Sequence, residues 1–588
     1  MKTIHPFVPA DPDASRNRAD AVIAWLRDYA ETRINSLLWD ERRCVPPYVI
    51  LDFGNHGLFG MQVPEAYGGL ALTNRDFLRV LEQLAAIDIS LASLVFIHNG
   101  NGVRPILGYA KPELRDALLP VLASGRELSA FGLTEPAAGS NLPGLETRAA
   151  PDGEGRWKLY GVKRWNASGW AGVFSVFARV VDEKGRLGHV IGFVLQQGMP
   201  GLHYGPESLT MGMRGIMQNA LYLDGVEVDE SRLLGAPGDG MEIVEEAILI
   251  ARISTCAIAL GGLKRCAQVM IRFAERRRVS TGRLLDSPIT LDKLSETMRR
   301  IAALEALTEP LVRILDAGGY PPDEACMAAK VLGSDYVWEA ADDLVQTLGG
   351  RGYMENNPGP MILRDCRALR IGEGANEFLT LSIGRRVGHS AAMETFFSET
   401  LGCPDHHAEM VVVAEQTMAR VLADAARFAS RSAAVAWAHT LIGRFALWAL
   451  QEAALEAALR TAHSDLKMRA RDWAAARKDA ARRDALSGLP TERLRLDADT
   501  LRASVADLSA AIGDVELTPP GCEVEIDPLL RRDPVVAPKP DFGRLPGNAS
   551  GAVGKPSSTQ PEKTADAAAD NRRRVADMLI DRGVFPSS

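Results

Sequence analysis

Phe131-Gly132-Leu133-Thr134-Glu135-Pro136-Ala137-Ala138-Gly139-Ser140-Asn141 stands where the texture of the chain changes. Upstream, from about residue 15 to 125, apolar residues recur at helical spacing. Ala21, Val22, Trp25, Leu26 and Tyr29 form one stripe, and periodic runs follow at 47–53, 74–87 and 112–122. Downstream, to about residue 235, the signals are those of strands. Residues 157–162 alternate, 173–178 and 189–194 are rich in β-branched and aromatic side chains, and 220–226 closes the set. Gly and Pro punctuate these runs, which predicts a small antiparallel barrel or sandwich. Helical periodicity returns near Gly240 in three long segments, roughly 241–279, 289–317 and 322–348. Pro321-Pro322 is a start signal for the third and Gly349-Gly350 a stop, so the region reads as a bundle.

The pattern divides the chain into a helical domain (1–128), a β-domain (129–238), a helical bundle (239–390) and a helical extension (391–540). Last comes a tail (541–588) whose Pro- and Gly-rich start reads as a flexible linker. Within the tail, 568–582 reads as a short amphipathic helix with Arg572, Arg573 and Arg574 near its start. A docking segment for an acidic partner is one reading of it, a frayed terminus another. The 588 residues, 46% hydrophobic and 24% charged, have the composition of a globular protein of several domains. A net charge of -8 argues against general nucleic-acid binding. Seven cysteines without a CxxC pair disfavour a disulfide framework or zinc ribbon and suit a reducing compartment. The N-terminus lacks the apolar run of a signal peptide, and no stretch of about 18 uncharged apolar residues occurs. The expected location is cytoplasmic, with peripheral contact to a membrane left open. The adjacent His406-His407 lacks the i, i+4 spacing of a helical metal site and reads as a surface pair, so no metal is expected.

Five motifs, in order, carry a resemblance. They are the segment 131–141 containing Thr134-Glu135-Pro136; Gln62-Val63-Pro64-Glu65-Ala66-Tyr67-Gly68-Gly69; Leu348-Gly349-Gly350-Arg351-Gly352-Tyr353; Arg364-Asp365; and Ile371-Gly372-Glu373-Gly374-Ala375-Asn376-Glu377. Over about residues 20–390 the chain resembles the acyl-CoA dehydrogenases. The resemblance implies a fold of α-helical domain, β-domain and α-helical bundle, here with a C-terminal helical extension. The length is similar to that of the very-long-chain members, whose extra helical domain accompanies a homodimer. FAD is the cofactor implied, and an electron-transfer flavoprotein or similar acceptor is the partner. The reaction implied is α,β-dehydrogenation of an acyl thioester to the trans-2-enoyl thioester. Glu373 would take the α-proton and flavin N5 the hydride.

The resemblance also assigns the remaining residues. Phe131, Leu133, Thr134 and Gly139 would lie along FAD, with the Thr134 hydroxyl on the flavin ring. Ser140 would contact both cofactor and the carrier moiety of the substrate. Trp165, Asn166 and Ala167 stand in the flavin-facing strand. There Ala167 replaces the Thr whose hydroxyl usually reaches N5, and Asn166 replaces an Ile. Arg278, Gln346, Gly349 and Gly350 would reach FAD from opposite sides of a dimer interface. Ala375, Asn376 and Glu377 complete the cofactor set. Gly374 lets backbone approach the thioester, and Arg252 lies near it. The acid expected three residues before Arg252 is Leu249, so the thioester carrier is open between CoA and a carrier protein. An oxidase or monooxygenase on the same fold, and a non-catalytic assembly factor, are the other readings left standing.

Overall fold

The computed structural model describes residues 11–167, 169–182, 184–487, 496–515, 517 and 527–532. Contacts divide the chain into Met1–Ala537 and Pro538–Ser588, and everything described below lies in the first unit. The tail 541–588, including the expected helix at 568–582, lies outside the described residues.

Seven helices precede the sheet: α1 (Pro12–Arg33), α2 (Ser36–Arg42), α3 (Pro47–Asn55), α4 (Asn74–Ile87), α5 (Ile89–Phe96), α6 (Arg104–Tyr109) and α7 (Pro112–Ala123). Their starts follow local chemistry. The Asp11 carboxylate caps α1, and the Thr73 hydroxyl accepts from the Asp76 N–H at the head of α4. Between α5 and α6 the chain continues as a π-helix, Ile97–Val103. Two side chains pin that segment. His98 bridges the Phe59 carbonyl and the Ser129 N–H, and Asn99 bonds the Leu58 and Val95 carbonyls and the Met61 N–H. Burial pushes the His98 imidazole down to about 4, so it is neutral here. A Cβ on Gly102 would lie 2.6 Å from the Ser129 side chain, so glycine lets the π-helix rest on the first strand.

The strands are β1 (Leu128–Gly132), β2 (Arg148–Pro151), β3 (Arg156–Asn166), β4 (Ala171–Val181), β5 (Leu187–Gln196), β6 (Leu202–Tyr204), β7 (Asn219–Asp229) and β8 (Leu233–Leu234). They form one eight-stranded sheet in the order β6-β7-β3-β2-β4-β5-β8, with β1 also on β4. The expected all-antiparallel arrangement is not what forms, because β1 and β2 both pair parallel to β4. They do so at successive places along one edge: Leu128–Gly132 lies against 171–176, and Arg148 and Ala149 lie against Arg179 and Val180. Residues 133–147 are therefore an excursion between two strands on the same edge, which expels the Thr134–Ser140 stretch from the sheet.

After the sheet come α8 (Gly240–Arg276), the short hairpin β9–β10 (Arg278–Val279, Gly282–Arg283), α9 (Pro288–Asp316), α10 (Asp323–Leu348), α11 (Pro358–Leu369) and α12 (Asn376–Arg386). The extension continues as α13 (Ala391–Thr395), α14 (Pro404–Ala423), α15 (Arg431–Thr461), α16 (Asp465–Ser487) and α17 (Ala498–Ile512). One apolar core joins α1–α5, the bundle α8–α12 and the extension through α16, while α6 and α7 pack in a second cluster with the sheet. Helices α12 and α15 cross at glycines. A Cβ on Gly384 would lie 1.8 Å from the His439 carbonyl oxygen, and one on Gly443 would lie 1.9 Å from that of Thr380. Trp448 and Trp473 meet edge to face at 5.1 Å, and Trp473 lies 5.7 Å from Tyr336 of α10. By length and composition α15 alone among the described helices is apolar enough to cross a membrane, and more than half of that stretch is buried in this core. His406 and His407 are half-buried, not a surface pair. His406 lies 3.2 Å from Glu456, and the His407 ring lies 5.8 Å from that of Phe397. Among the described residues no group of His, Cys, Asp and Glu has a metal-holding arrangement.

Candidate active site

Glu373 sits in the short turn that joins α11 to α12, with φ at 57°, a left-handed conformation that a side-chain-bearing residue adopts at a cost. Two elements, α10 and the π-helix, hold the turn in place. From α10, the buried Lys330 ammonium donates to the Gly374 carbonyl at 2.7 Å and to Asn376 Oδ1 at 2.9 Å. From the same helix, Ser334 and Asp335 bond the Asn376 amide, each at 2.9 Å. From the π-helix, Asn101 Nδ2 donates to Glu373 Oε1 at 3.3 Å. Gly374, with φ at 97°, completes the reversal before α12 starts at Asn376.

Burial raises the Glu373 carboxyl above the usual carboxylate range, while Asn101, Lys330 and Arg252 pull it partly back. Burial drops Lys330 to about 8, and Glu373 favours its charged form. Arg252 of α8 is buried and paired with Asp323, which also accepts from Arg386 at 2.8 Å. A carboxylate with a raised pKa, flanked by two cations and an amide, is suited to accept a proton near neutral pH.

The Thr134–Ser140 loop is anchored by its acid. Glu135, 3% exposed, accepts from Lys163 at 2.7 Å and from the N–H groups of Glu146 and Thr147 at 2.5 and 3.0 Å. Burial pushes the Glu135 carboxyl up, but Lys163 and these donors outweigh it and hold it low. The Arg164 N–H donates to the Thr134 carbonyl at 2.9 Å, which brings the loop beside the end of β3. There a bulge between Lys163 and Asn166 puts Trp165 at φ 57° and turns it outward, 51% exposed. The Arg164 guanidinium lies 5.0 Å from the Trp165 ring centre. Phe131, Thr134 and Ala167 are half-buried, Leu133 and Asn166 are buried, and Gly139 and Ser140 are exposed.

Within a single chain, Arg278 lies beside the end of the loop at 346–350. The helix C-terminus of α8 turns back toward the end of α10, so Arg278 and Arg351 line one cleft of about 520 Å³ together with Arg272, Arg276 and Arg277. Gln346, Gly349 and Gly350 are exposed beside it. Asn376 spends its side chain on α10 and so acts as a brace of the turn. Ala375 caps α12, and Glu377 is exposed in its first turn.

The residues present suit FAD. A Cβ built on Gly139, Gly349 or Gly350 meets no protein atom within 4 Å, so these glycines leave open space that a ligand can enter. The arginine cleft offers forked donors of the kind that take a pyrophosphate.

Four residues of this arrangement have no role in the sequence reading: Asn101, Lys330, Glu135 and Lys163. Lys330 had a signal, as a lone cation in the apolar run 325–333 of a helix. Asn101 had none, since the helical reading of 15–125 singles out nothing at Ile97-His98-Asn99-Gly100-Asn101-Gly102.

Comparisons with known proteins agree with this geometry. Residues 17–126, 130–226 and 238–388 match the N-terminal, middle and C-terminal domains of acyl-CoA dehydrogenase. An acyl-CoA dehydrogenase of Bacillus subtilis is 32% identical over 364 residues, which are 61% of this chain and 95% of that protein. The mouse mitochondrial very long-chain specific acyl-CoA dehydrogenase is 31% identical over 337 residues, and the match spans 51% of its length. The structure of a Bacillus anthracis acyl-CoA dehydrogenase complexed with FAD superposes with a TM-score of 0.69 at 22% identity. It covers 86% of this chain and 93% of its own, a likeness of fold that takes in part of the extension. With three successive domain matches and a relative covered almost end to end, the chain belongs to the acyl-CoA dehydrogenase family.

Proposed function

We propose that this enzyme removes the α- and β-hydrogens of an acyl thioester, CoA-linked in the simplest form, and that Glu373 is the base for the α-proton. The observation that carries the reading is the Glu373 turn itself. A carboxylate with a pKa raised by burial is held in a strained turn by Lys330 and Asn101 and faces Arg252. FAD is the cofactor of the family and, when bound, supplies the hydride acceptor for the β-carbon.

The chain's own residues do the rest. The Cα–H bond breaks and its proton passes to a Glu373 carboxylate oxygen, leaving negative charge on the thioester oxygen. The Glu373 N–H is the donor assigned to that oxygen, a preorganised dipole of the kind that lowers such barriers most. Loss of the β-hydrogen then gives the trans-2-enoyl thioester. Thr134, Gly139, Trp165 and Ala167 would border the flavin ring, Arg278 and Arg351 would take the pyrophosphate, and the cofactor would be shared across a homodimer interface. Electrons leave to an electron-transfer flavoprotein or a similar acceptor.

The test is anaerobic bleaching of the bound flavin by a panel of acyl-CoA and acyl-carrier thioesters, in wild type and Glu373→Gln. The variant is expected to hold FAD and lose bleaching by about a hundredfold or more. Bleaching at a normal rate in the variant overturns the assignment of the base.

A further inference from the structure

We propose that Asn101 is a positioning residue for the base. Its amide holds the Glu373 carboxylate before proton transfer and, after turning over, accepts a hydrogen bond from the carboxylic acid that the transfer creates. The inference rests on the reading of Glu373 as the base.

The placement of Asn101 is built into the fold. The π-helix Ile97–Val103 interrupts an otherwise continuous run of α-turns from α5 to α6, and such insertions rotate the side chains that follow. His98 and Asn99 lock the insertion to the backbone at Leu58, Phe59, Met61 and Ser129. Asn101 is thereby fixed, 8% exposed, with Nδ2 3.3 Å from Glu373 Oε1.

Its other polar atom is the informative one. Asn101 Oδ1 is shut away from solvent and has no hydrogen-bond partner. An acceptor buried and left unpaired is costly, and a native structure retains few of them. Here it has a use within the reaction cycle. When the Cα–H proton moves to Glu373, the carboxylate becomes a carboxylic acid with an O–H donor. An N–H facing that O–H makes two donors with no acceptor between them. A half-turn about the Asn101 Cβ–Cγ bond exchanges the amide's ends and gives up no other bond, because Oδ1 had none. The charged groups facing Glu373 are Lys330 of α10 and Arg252 of α8. Neither cation has an acceptor to offer, so of these three neighbours Asn101 alone can pair with both protonation states.

The sign of the effect follows. The bond to the carboxylate is charge-assisted and roughly twice as strong as the neutral bond to the acid, so on balance Asn101 favours the carboxylate and lowers the Glu373 pKa. Removing it raises that pKa, and the base works only when deprotonated. The acidic limb of kcat/KM therefore moves to higher pH.

The experiment uses the full-length FAD-loaded enzyme, an acyl-CoA that bleaches the wild type, and two variants, Asn101→Leu and Asn101→Asp. The Leu variant is expected to shift the acidic limb up by about 1–2 pH units. Its kcat on the plateau above that limb falls about tenfold, with KM changed less. The Asp variant keeps the shape of asparagine and adds a like charge, so its limb moves at least as far. Flavin content and thermal midpoint, measured alongside, report folding, and if the Leu variant fails to hold FAD the Asp variant decides. A limb that stays at the wild-type pH in the folded variants overturns the proposal, even where kcat drops, because a merely structural role lowers activity without moving it. Failure of the underlying reading looks different: turnover then survives in Glu373→Gln. A dead Gln variant beside unshifted Asn101 variants removes only the role of Asn101.

Discussion

The Lys330 Nζ lies 2.7 Å from the carbonyl oxygen of Gly374, the residue that follows Glu373, and 2.9 Å from Asn376 Oδ1, the first residue of α12. One buried ammonium thus ties the backbone just after Glu373 and the first residue of α12 to α10. Lys330→Met keeps the length of the side chain and removes the tie and the charge. The expected result is an acidic limb of kcat/KM at higher pH, since Lys330 lowers the Glu373 pKa. A fall in kcat of about tenfold or more should accompany it, as a strained turn loses its brace. Steady-state kinetics across pH check both, and an unmoved limb counts against the tie.

Asp365 is buried between Ser90, which donates at 3.0 Å, and the Met213 N–H at 2.5 Å. Burial, with Asp88 nearby, pushes its carboxyl up to about 8. A carboxyl with a raised folded pKa is protonated when native and ionised when unfolded between about pH 4 and 8. The native state then binds more protons, and stability falls as pH rises through that window. Asp365→Asn should flatten the decline and gain on the order of a few kcal/mol at pH 8. Thermal midpoints of both proteins from pH 5 to 8 read this directly. Parallel slopes would place the titration elsewhere.

The Glu135–Lys163 pair is an ion pair with both side chains almost wholly buried. Lys163→Met leaves a carboxylate in the interior with only backbone donors, at a cost of about 3–5 kcal/mol. The loop 133–147 should loosen, and FAD should dissociate with it. The double variant Lys163→Met, Glu135→Gln removes both charges and should recover part of the thermal midpoint. Flavin retention on gel filtration and the midpoint of each variant are the measurements.

Arg278 and Arg351 line one cleft and should contribute to the same anion. Each Arg→Ala change is expected to weaken FAD by about tenfold or more, and more steeply at high salt, because the cleft is open to solvent. If FAD is shared across a homodimer, the double variant loses flavin and dimer together. Flavin fluorescence titration and sedimentation separate these losses, and a monomer that keeps FAD contradicts the shared arrangement.

Much of the fold was legible where period and punctuation agree. The three long helices Gly240–Arg276, Pro288–Asp316 and Asp323–Leu348 start and stop within a few residues of their Pro and Gly signals. Strand direction was not legible, because β1 and β2 share an edge of β4 through hydrogen bonds that side-chain alternation does not encode. The turn around Glu373 was found by its motif. The residues that poise it lie far off in sequence, on a π-helix inside a stretch that reads simply as helical and on a helix whose cation reads as an isolated exception. The arginine cleft was not legible for a related reason: placing Arg278 beside Arg351 within one chain depends on where α8 ends relative to α10, a tertiary fact.

The glycine crossing of α12 and α15 bears on how far this enzyme can be shortened. Gly384 and Gly443 let two backbones touch at distances no other residue permits. Helix α12 begins at Asn376, three residues beyond Glu373. A chain cut at 390 would strip α15 from that contact and bare a furrow made to fit another helix, with the Glu373 turn at its upstream end. Residues past 390 are thus less an accessory than a splint, and a minimal enzyme derived from this sequence would have to resurface α12 before it could do without them.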